Sequence, residues 1–157
     1  MRVKFEWIGM FLMLGLIMGH TGCATFRGMG AKHEHIETQT KNYVYNQPAT
    51  AVWPAARQIL FEKGFEVKNT GEAGMLTAES EWKYEGKTKT RYLAQATVVS
   101  ETQCRIVFTK MVNSKDGNES NRDLALEWEL IQKVEPDRAT QIKAEAEQKS
   151  EAAKNAK

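Results

Sequence analysis

The chain has 157 residues, and its 22 Lys and Arg against 20 Asp and Glu give a formal net charge of +2. This length fits one modest domain rather than several. The nearly neutral balance excludes the basic surface of a typical nucleic-acid-binding protein and the acidic run that would indicate a highly charged ligand.

The first 22 residues have the pattern of a secretory signal peptide. Arg2 and Lys4 provide a positive start, an apolar run covers residues 7–18, and small or polar residues lead to Cys23. A charged start, a short apolar core and a small-residue cleavage site are typical of such a signal. The apolar run is about 12 residues long, whereas a membrane-spanning helix needs about 20. The pattern therefore favours a cleaved signal over a retained anchor or a buried core helix.

Thr21-Gly22-Cys23 resembles the end of a bacterial lipobox. The resemblance implies that a peptidase cuts before Cys23 and that the cysteine carries acyl chains such as palmitate. His20 stands where the motif usually has Leu. Ala24 lacks the Asp that retains such lipoproteins in the inner membrane, so the resemblance implies the outer membrane, facing the periplasm. Several acyl chains anchor a protein stably in a membrane, whereas a single chain binds only weakly.

Residues 23–42 are predicted to be the lipidated cysteine followed by a flexible tether, because residues 24–42 are polar and contain few large apolar side chains. Extended, about 19 residues would reach roughly 60 Å. His33 and His35 lie in this segment, but two histidines on a flexible chain make a poor metal site, so we expect no metal there.

The folded domain is predicted for residues 43–135. Residues 43–45 form a short β-rich run, and Thr50 is expected to cap a helix that ends near Lys63 and Gly64. Four alternating segments follow, at residues 65–68, 76–83, 91–98 and 104–109, with a turn-rich loop at residues 69–74 and a turn at Gly86. Period-two alternation with short polar turns predicts an antiparallel sheet with one covered face.

Residues 114–118 are expected to end the sheet. Ser120 and Asp123 then suggest a cap for a helix that places Leu124, Trp128 and Ile131 on one stripe. Residues 136–157 form a charged tail, helical and partly frayed, with almost nothing to bury. The predicted class is α+β: a single antiparallel sheet with one or two helices on one face, plus a charged C-terminal helix.

Catalytic groups are scarce. The only histidines after Cys23 are His33 and His35, which lie in the predicted tether, and no Cys or His spacing typical of a metal site occurs. Cys104 is expected to be a buried small side chain, although it could pair with Cys23 if lipidation fails. Glu79 and Glu81 are expected on a solvated face. The sequence therefore predicts no enzyme, no catalytic residue, no metal and no cofactor.

Aromatic residues are the strongest candidates for contact with a partner or ligand. Trp53, Trp82, Tyr84 and Tyr92, together with Trp128, either line a groove between helix and sheet or form the core. Trp53 begins a helix and Trp82 ends a strand, so each could be half exposed. Exposed tryptophan is a frequent anchor at interfaces.

Three segments resemble the domain of BamC-like (NlpB/DapX) lipoproteins: Ala51-Val52-Trp53-Pro54-Ala55-Ala56, Gly64-Phe65-Glu66-Val67, and Gly74-Met75-Leu76-Thr77 before Trp82. The resemblance covers residues 43–83. It implies a helix-grip-like α+β domain and a non-catalytic accessory role in the envelope, with protein partners such as the outer-membrane β-barrel assembly machinery. Only one such domain is present here, whereas the assembly lipoprotein carries two.

Two functions remain open from the sequence. The first is a membrane-anchored binding or scaffold module that contacts another envelope protein, and neither function involves nucleic acid. The alternative is a carrier of a small apolar ligand or lipid held between helix and sheet, which the aromatic residues suggest.

Overall fold

A computed structural model describes residues 6–70 and 76–156, with the backbone alone at residues 6–23 and at Asn69. The helices are α1 (Glu6–Lys41), α2 (Ala49–Glu62), α3 (Leu124–Val134) and α4 (Pro136–Asn155). The strands are β1 (Val67–Asn69), β2 (Thr77–Ser80), β3 (Lys83–Glu85), β4 (Thr88–Ser100), β5 (Gln103–Ser114) and β6 (Gly117–Arg122). The chain divides into a helical unit, formed by α1 up to Glu37 and α4 from Gln141, and an α+β unit, Thr38–Thr140.

The α+β unit contains one antiparallel sheet, which confirms the predicted fold class. Its described strands number six, in the order β1-β2-β4-β5-β6, with β3 paired to the start of β4. Helices α2 and α3 pack against each other; α2 packs against β4 and β5, and α3 packs against β5. Between helices and sheet lies the core, whose fully buried members include Val52, Ile59, Leu60, Ala94, Phe108, Leu130 and Ile131.

Helix α2 forms as predicted but starts earlier than expected, and it buries residues such as Val52, Ala56 and Ile59. Pro48, not Thr50, is its N-cap residue, and its carbonyl accepts from Ala51 N at 2.9 Å. Pro54 therefore lies in the second turn, where it removes one helical hydrogen bond. Gly64 ends the helix as predicted, with φ of +80°. The N–H groups of Gly64 and Phe65 bond back to the carbonyls of Phe61 and Leu60, which is a glycine-dependent helix stop.

The prediction that residues 114–118 end the sheet is wrong. Residues 114–117 form a turn into β6, whose edge position and polar side chains (Asn118, Glu119, Ser120, Asn121) leave no alternation to detect. Ser120 therefore lies in a strand and caps no helix. Asp123 caps α3 as predicted, because its Oδ1 accepts from Leu126 N at 3.0 Å.

The strand predicted at residues 43–45 is reduced to one bridge. Tyr45 N donates to the Cys104 carbonyl at 2.8 Å, and Cys104 N donates to the Tyr45 carbonyl at 3.2 Å. Of the predicted turn-rich loop at residues 69–74, residues 71–74 lie outside the described part of the chain.

The prediction of a flexible tether at residues 24–42 is wrong, because α1 continues to Lys41. Within the helical unit, Lys32 forms an ion pair with Glu147, and Arg27 Nη1 donates to the Ala156 carbonyl at 2.8 Å. A Cβ added at Gly28 would lie 2.9 Å from Ser150 Oγ, so the two helices approach closely there.

The side chains that permit this approach are small or polar. They form no apolar stripe in the sequence, so the packing of α1 against α4 could not be predicted from it. Ala24, Gly28, Ala31 and His35 follow one another at helical spacing, and Gly28 and His35 are buried. In α4 the buried residues of this unit are Ile142, Ala146 and Ser150. The predicted tail is therefore helical, but it buries more than expected. Among the described residues, no helix combines the length and apolar character needed to cross a bilayer.

A buried ion pair connects four parts of the α+β unit. Glu127 in α3 is 2% exposed, and its carboxylate accepts from Arg122 Nε at 2.7 Å and from Arg122 Nη2 at 2.6 Å. The same carboxylate accepts from Phe108 N at 3.3 Å, and Arg122 Nη2 also donates to the Lys41 carbonyl at 2.9 Å. A buried carboxylate is tolerated only when it is paired and hydrogen-bonded in this way.

Arg122→Met is expected to lower the free energy of unfolding by about 3 kcal/mol, because it leaves the Glu127 charge buried with one weak donor. The double variant Arg122→Met/Glu127→Leu should recover most of that loss, since both charges are removed together. Urea unfolding followed by circular dichroism measures both. A single variant as stable as the wild type would contradict this account of the pair.

Candidate functional site

Two of the predicted contact residues, Trp53 and Tyr92, belong to the core. Trp53 is 7% exposed and Tyr92 is 8% exposed. Tyr92 packs edge-on against Phe65 with 4.8 Å between ring centroids, and its hydroxyl donates to Asp123 Oδ2 at 3.1 Å. Trp128 is half-buried against the same core. These side chains thus occupy space between helix and sheet, where the carrier hypothesis expected a groove.

The other two predicted residues, Trp82 and Tyr84, lie on the opposite face of the sheet. Tyr84 is paired with Lys89, which lies two residues from Arg91 along β4 and so shares its face. Tyr92 and Ala94 alternate with these residues and point into the core. We call the surface formed by Trp82, Tyr84, Lys89, Arg91 and Met111 the open face.

Trp82 is held in place by two cations. Lys89 Nζ lies 4.8 Å and Arg91 Cζ lies 4.7 Å from the centre of its ring system. Each cation–π contact contributes about 0.5–1 kcal/mol at an exposed site. The ring is half-buried, so these contacts fix an aromatic side chain that solvent still reaches.

Arg91 is itself fixed by its neighbours. It forms an ion pair with Glu79 of β2, and its Nε donates to Met111 Sδ at 3.3 Å. A shallow groove of about 270 Å³ runs beside these groups, lined by Trp82, Arg91, Met111 and residues of β6. Tyr84 is 70% exposed and has room to contact a partner. The open face therefore combines an aromatic and cationic centre held by several contacts with an exposed aromatic neighbour, which is the composition of an interface anchor.

The carboxylates of β2 and its C-terminal end behave differently from each other. Glu81 is exposed and pairs with Lys68 at 2.5 Å, and this hydrogen bond lowers the pKa of the Glu81 carboxyl. Glu79 is half-buried and belongs to the open face through Arg91. Alternation predicted that both are solvated surface groups, but it could not detect that Glu79 orients Arg91.

The described cysteine and histidine side chains each have a defined local environment. Cys104 is fully buried in β5, as predicted, and burial raises the pKa of its thiol. His33 is exposed and pairs with Glu37 in the same helix, at 3.1 Å. His35 is buried with its Nε2 3.4 Å from Glu145 Oε2. Within the described residues, no group of three or more His, Cys, Asp or Glu is arranged to hold a metal ion.

The predicted lipidation site, Cys23, lies where the structure describes only the backbone of α1, so lipidation there stays a prediction. Comparison of the chain with protein-family models, with characterised proteins and with solved structures yields no match. The likeness to BamC-like lipoproteins therefore rests on the sequence segments that carry it.

The core position of Tyr92 can be tested by the pH dependence of the free energy of unfolding. Burial, and then the Asp123 carboxylate, raises the pKa of Tyr92 from 10.0 to about 12. The folded state thus holds this proton more tightly than the unfolded state, so the stabilisation is complete below pH 10 and is lost as the pH rises through 12.

Tyr92→Phe should therefore cost about 1–2 kcal/mol at pH 8, where the hydrogen bond to Asp123 is intact. The difference from the wild type should shrink as the pH rises from 10 to 12. Urea unfolding at several pH values measures this, with Tyr84→Phe as an exposed control that leaves stability unchanged. A pH-independent difference would argue against the assigned environment.

Proposed function

We propose that the protein is a lipid-anchored, non-catalytic binding module of the bacterial cell envelope. The signal pattern and the lipobox resemblance at Cys23 support anchoring in the outer membrane, with the chain facing the periplasm. The α+β unit then serves to contact another envelope protein. The lipobox-like sequence supports the proposed location, and the open face supports the proposed binding role.

The open face is the observation that best supports binding. Trp82 is fixed between Lys89 and Arg91, and Arg91 is fixed in turn by Glu79 and Met111. A side chain that is already ordered loses little entropy when a partner binds. Trp and Arg are also the residue types that most often dominate the energy of an interface.

The positions of the reactive groups support a non-catalytic role. Cys104 is buried in β5, and burial raises the pKa of its thiol, which disfavours the nucleophilic thiolate. His33 is exposed and pairs with Glu37 of its own helix. The resemblance to BamC-like lipoproteins makes a component of outer-membrane protein assembly the partner to test first.

Photo-crosslinking in living cells tests the open face. A benzophenone amino acid replaces Tyr84, and a matched control carries it at Glu101, which is exposed in the turn between β4 and β5. We expect a covalent adduct to an envelope protein from position 84, little or none from position 101, and loss of the adduct when Trp82→Ala is added. Equal adducts from both positions, or none from position 84, would refute the proposal.

The anchoring is tested separately by Cys23→Ser. The serine cannot accept a thioether-linked lipid, so we expect the wild type to be acylated and membrane-bound and the variant to lack the acyl mass. Mass spectrometry of the purified N-terminal peptide and membrane fractionation provide the readouts. A processed Cys23→Ser protein that stays in the membrane fraction would overturn the lipid anchor while leaving the binding role open.

A further inference from the structure

A second surface lies between α2 and the edge of the sheet. It is a groove of about 510 Å³ lined by Pro54, Arg57, Gln58 and Phe61 of α2 and by Glu66 and Val67 at β1. We call it the edge groove. It is distinct from the open face, because α2 packs on the opposite side of the sheet from Trp82.

Along one wall of the edge groove, some backbone N–H and C=O groups of β1 point away from the sheet. Thr70 N donates to the Thr77 carbonyl at 3.0 Å, and Glu81 N donates to the Glu66 carbonyl at 3.3 Å. With the register Lys68↔Glu79, these bonds place Glu66, Lys68 and Thr70 in the hydrogen-bonded positions that face β2. The N–H and C=O groups of Val67 and Asn69 therefore point away from the sheet, because successive residues of a strand alternate in direction.

The other wall is a continuous face of α2. Pro54, Arg57, Gln58 and Phe61 follow at intervals of three and four residues, so they lie on one side of the helix. Phe61 is 69% exposed despite its size. Arg57 is half-buried, and its Nε is fully shielded from solvent without a hydrogen-bond partner among the described residues. The shielded Nε is out of reach of a ligand, but the half-buried Arg57 side chain lines the groove and has no ion pair among the described residues. A carboxylate in the groove would supply a charge-assisted partner for its terminal nitrogens.

From these observations we propose that the edge groove binds an extended peptide segment of a partner protein as an additional strand beside β1. The outward N–H and C=O groups at Val67 and Asn69 require an extended backbone. Phe61 and Pro54 accept an apolar side chain, and Arg57 selects an acidic one. Strand addition beside a helix is an established way to bind peptides: backbone bonds give affinity and side-chain contacts give specificity.

The opposite edge of the sheet lacks these features. In β6 the same reasoning directs the backbone of Asn118 and Ser120 outward, since Asp123 N bonds to the Phe108 carbonyl. However, the side chains of β6 are polar and exposed. Polar, charged edge strands are the usual protection against unwanted strand pairing. Within the described residues, the β1 edge, unlike the β6 edge, combines outward backbone groups with an apolar wall and a cation that has no ion pair.

Random linear peptides displayed on phage, selected on the immobilised full chain, provide the probe, and the enriched peptides are synthesised for titration. The decisive variant is Val67→Pro, which removes the outward N–H and leaves the bonds to β2 intact, since proline is tolerated on an edge strand. Its matched control is Val67→Ala, which shortens the same side chain but keeps the N–H.

We expect enriched peptides to carry an acidic residue near an apolar one. Val67→Pro should weaken their binding about tenfold or more, and Val67→Ala should change it little. Arg57→Gln should weaken acidic peptides and leave their amide-substituted versions unaffected. Circular dichroism establishes that each variant is folded.

Three results would overturn the proposal: no enriched peptide, equal binding by Val67→Pro and Val67→Ala, or self-association of the wild type that Val67→Pro abolishes, which would assign the edge to a second copy of the chain. Trp82→Ala serves as a further control. Because it alters the open face alone, peptide binding should survive it, and failure of one surface is distinguishable from failure of the other.

Discussion

The pairing of β4 with β5 is the constraint on which the rest of the α+β unit depends. It runs from Lys89↔Asn113 to Ser100↔Gln103 and is the most extensive strand pair in the sheet. Because successive side chains of a strand point to opposite faces, this one pairing assigns most residues of both strands to one face or the other, up to the irregularity between Val98 and Ser100. Tyr92, Ala94, Ile106 and Phe108 enter the core, while Arg91 and Met111 face outward. The core and the open face are therefore two consequences of the same register.

The alternation in β4 and β5 could be predicted from the sequence, because apolar side chains such as Ile106 and Phe108 recur at every second position. Where burial does not set the pattern, prediction failed for a physical reason. Strand β6 lies at an edge and needs no apolar residues. Trp82 follows the alternation of Ala78 and Ser80 in the sequence, but β2 ends at Ser80, and the ring instead packs beside Lys89 and Arg91. The roles of Arg91 and Met111 depend on cross-strand contacts that no local pattern encodes.

The two proposed binding surfaces use different parts of the same sheet. The open face offers side chains, with Trp82 held by Lys89 and by Arg91, which is itself paired with Glu79. The edge groove offers backbone groups at Val67 and a helix face that carries Phe61 and Arg57. The open face suits a folded partner, and the edge groove suits an extended segment. A single partner would need both a globular surface and an extended strand or tail to bind the two.

The helical conformation of residues 24–41 shortens the distance that the segment after Cys23 can span. A flexible segment of about 19 residues could reach roughly 60 Å, whereas an α-helix over Ala24–Lys41 rises only about 27 Å. Its contacts with α4 include the Lys32–Glu147 ion pair and the close approach at Gly28. If Cys23 carries lipid, the first ordered turn of the mature chain begins at the bilayer surface. The C-terminal helix is then part of the anchor's support, so deleting α4 would weaken the helix that follows the lipid rather than merely remove a solvated tail.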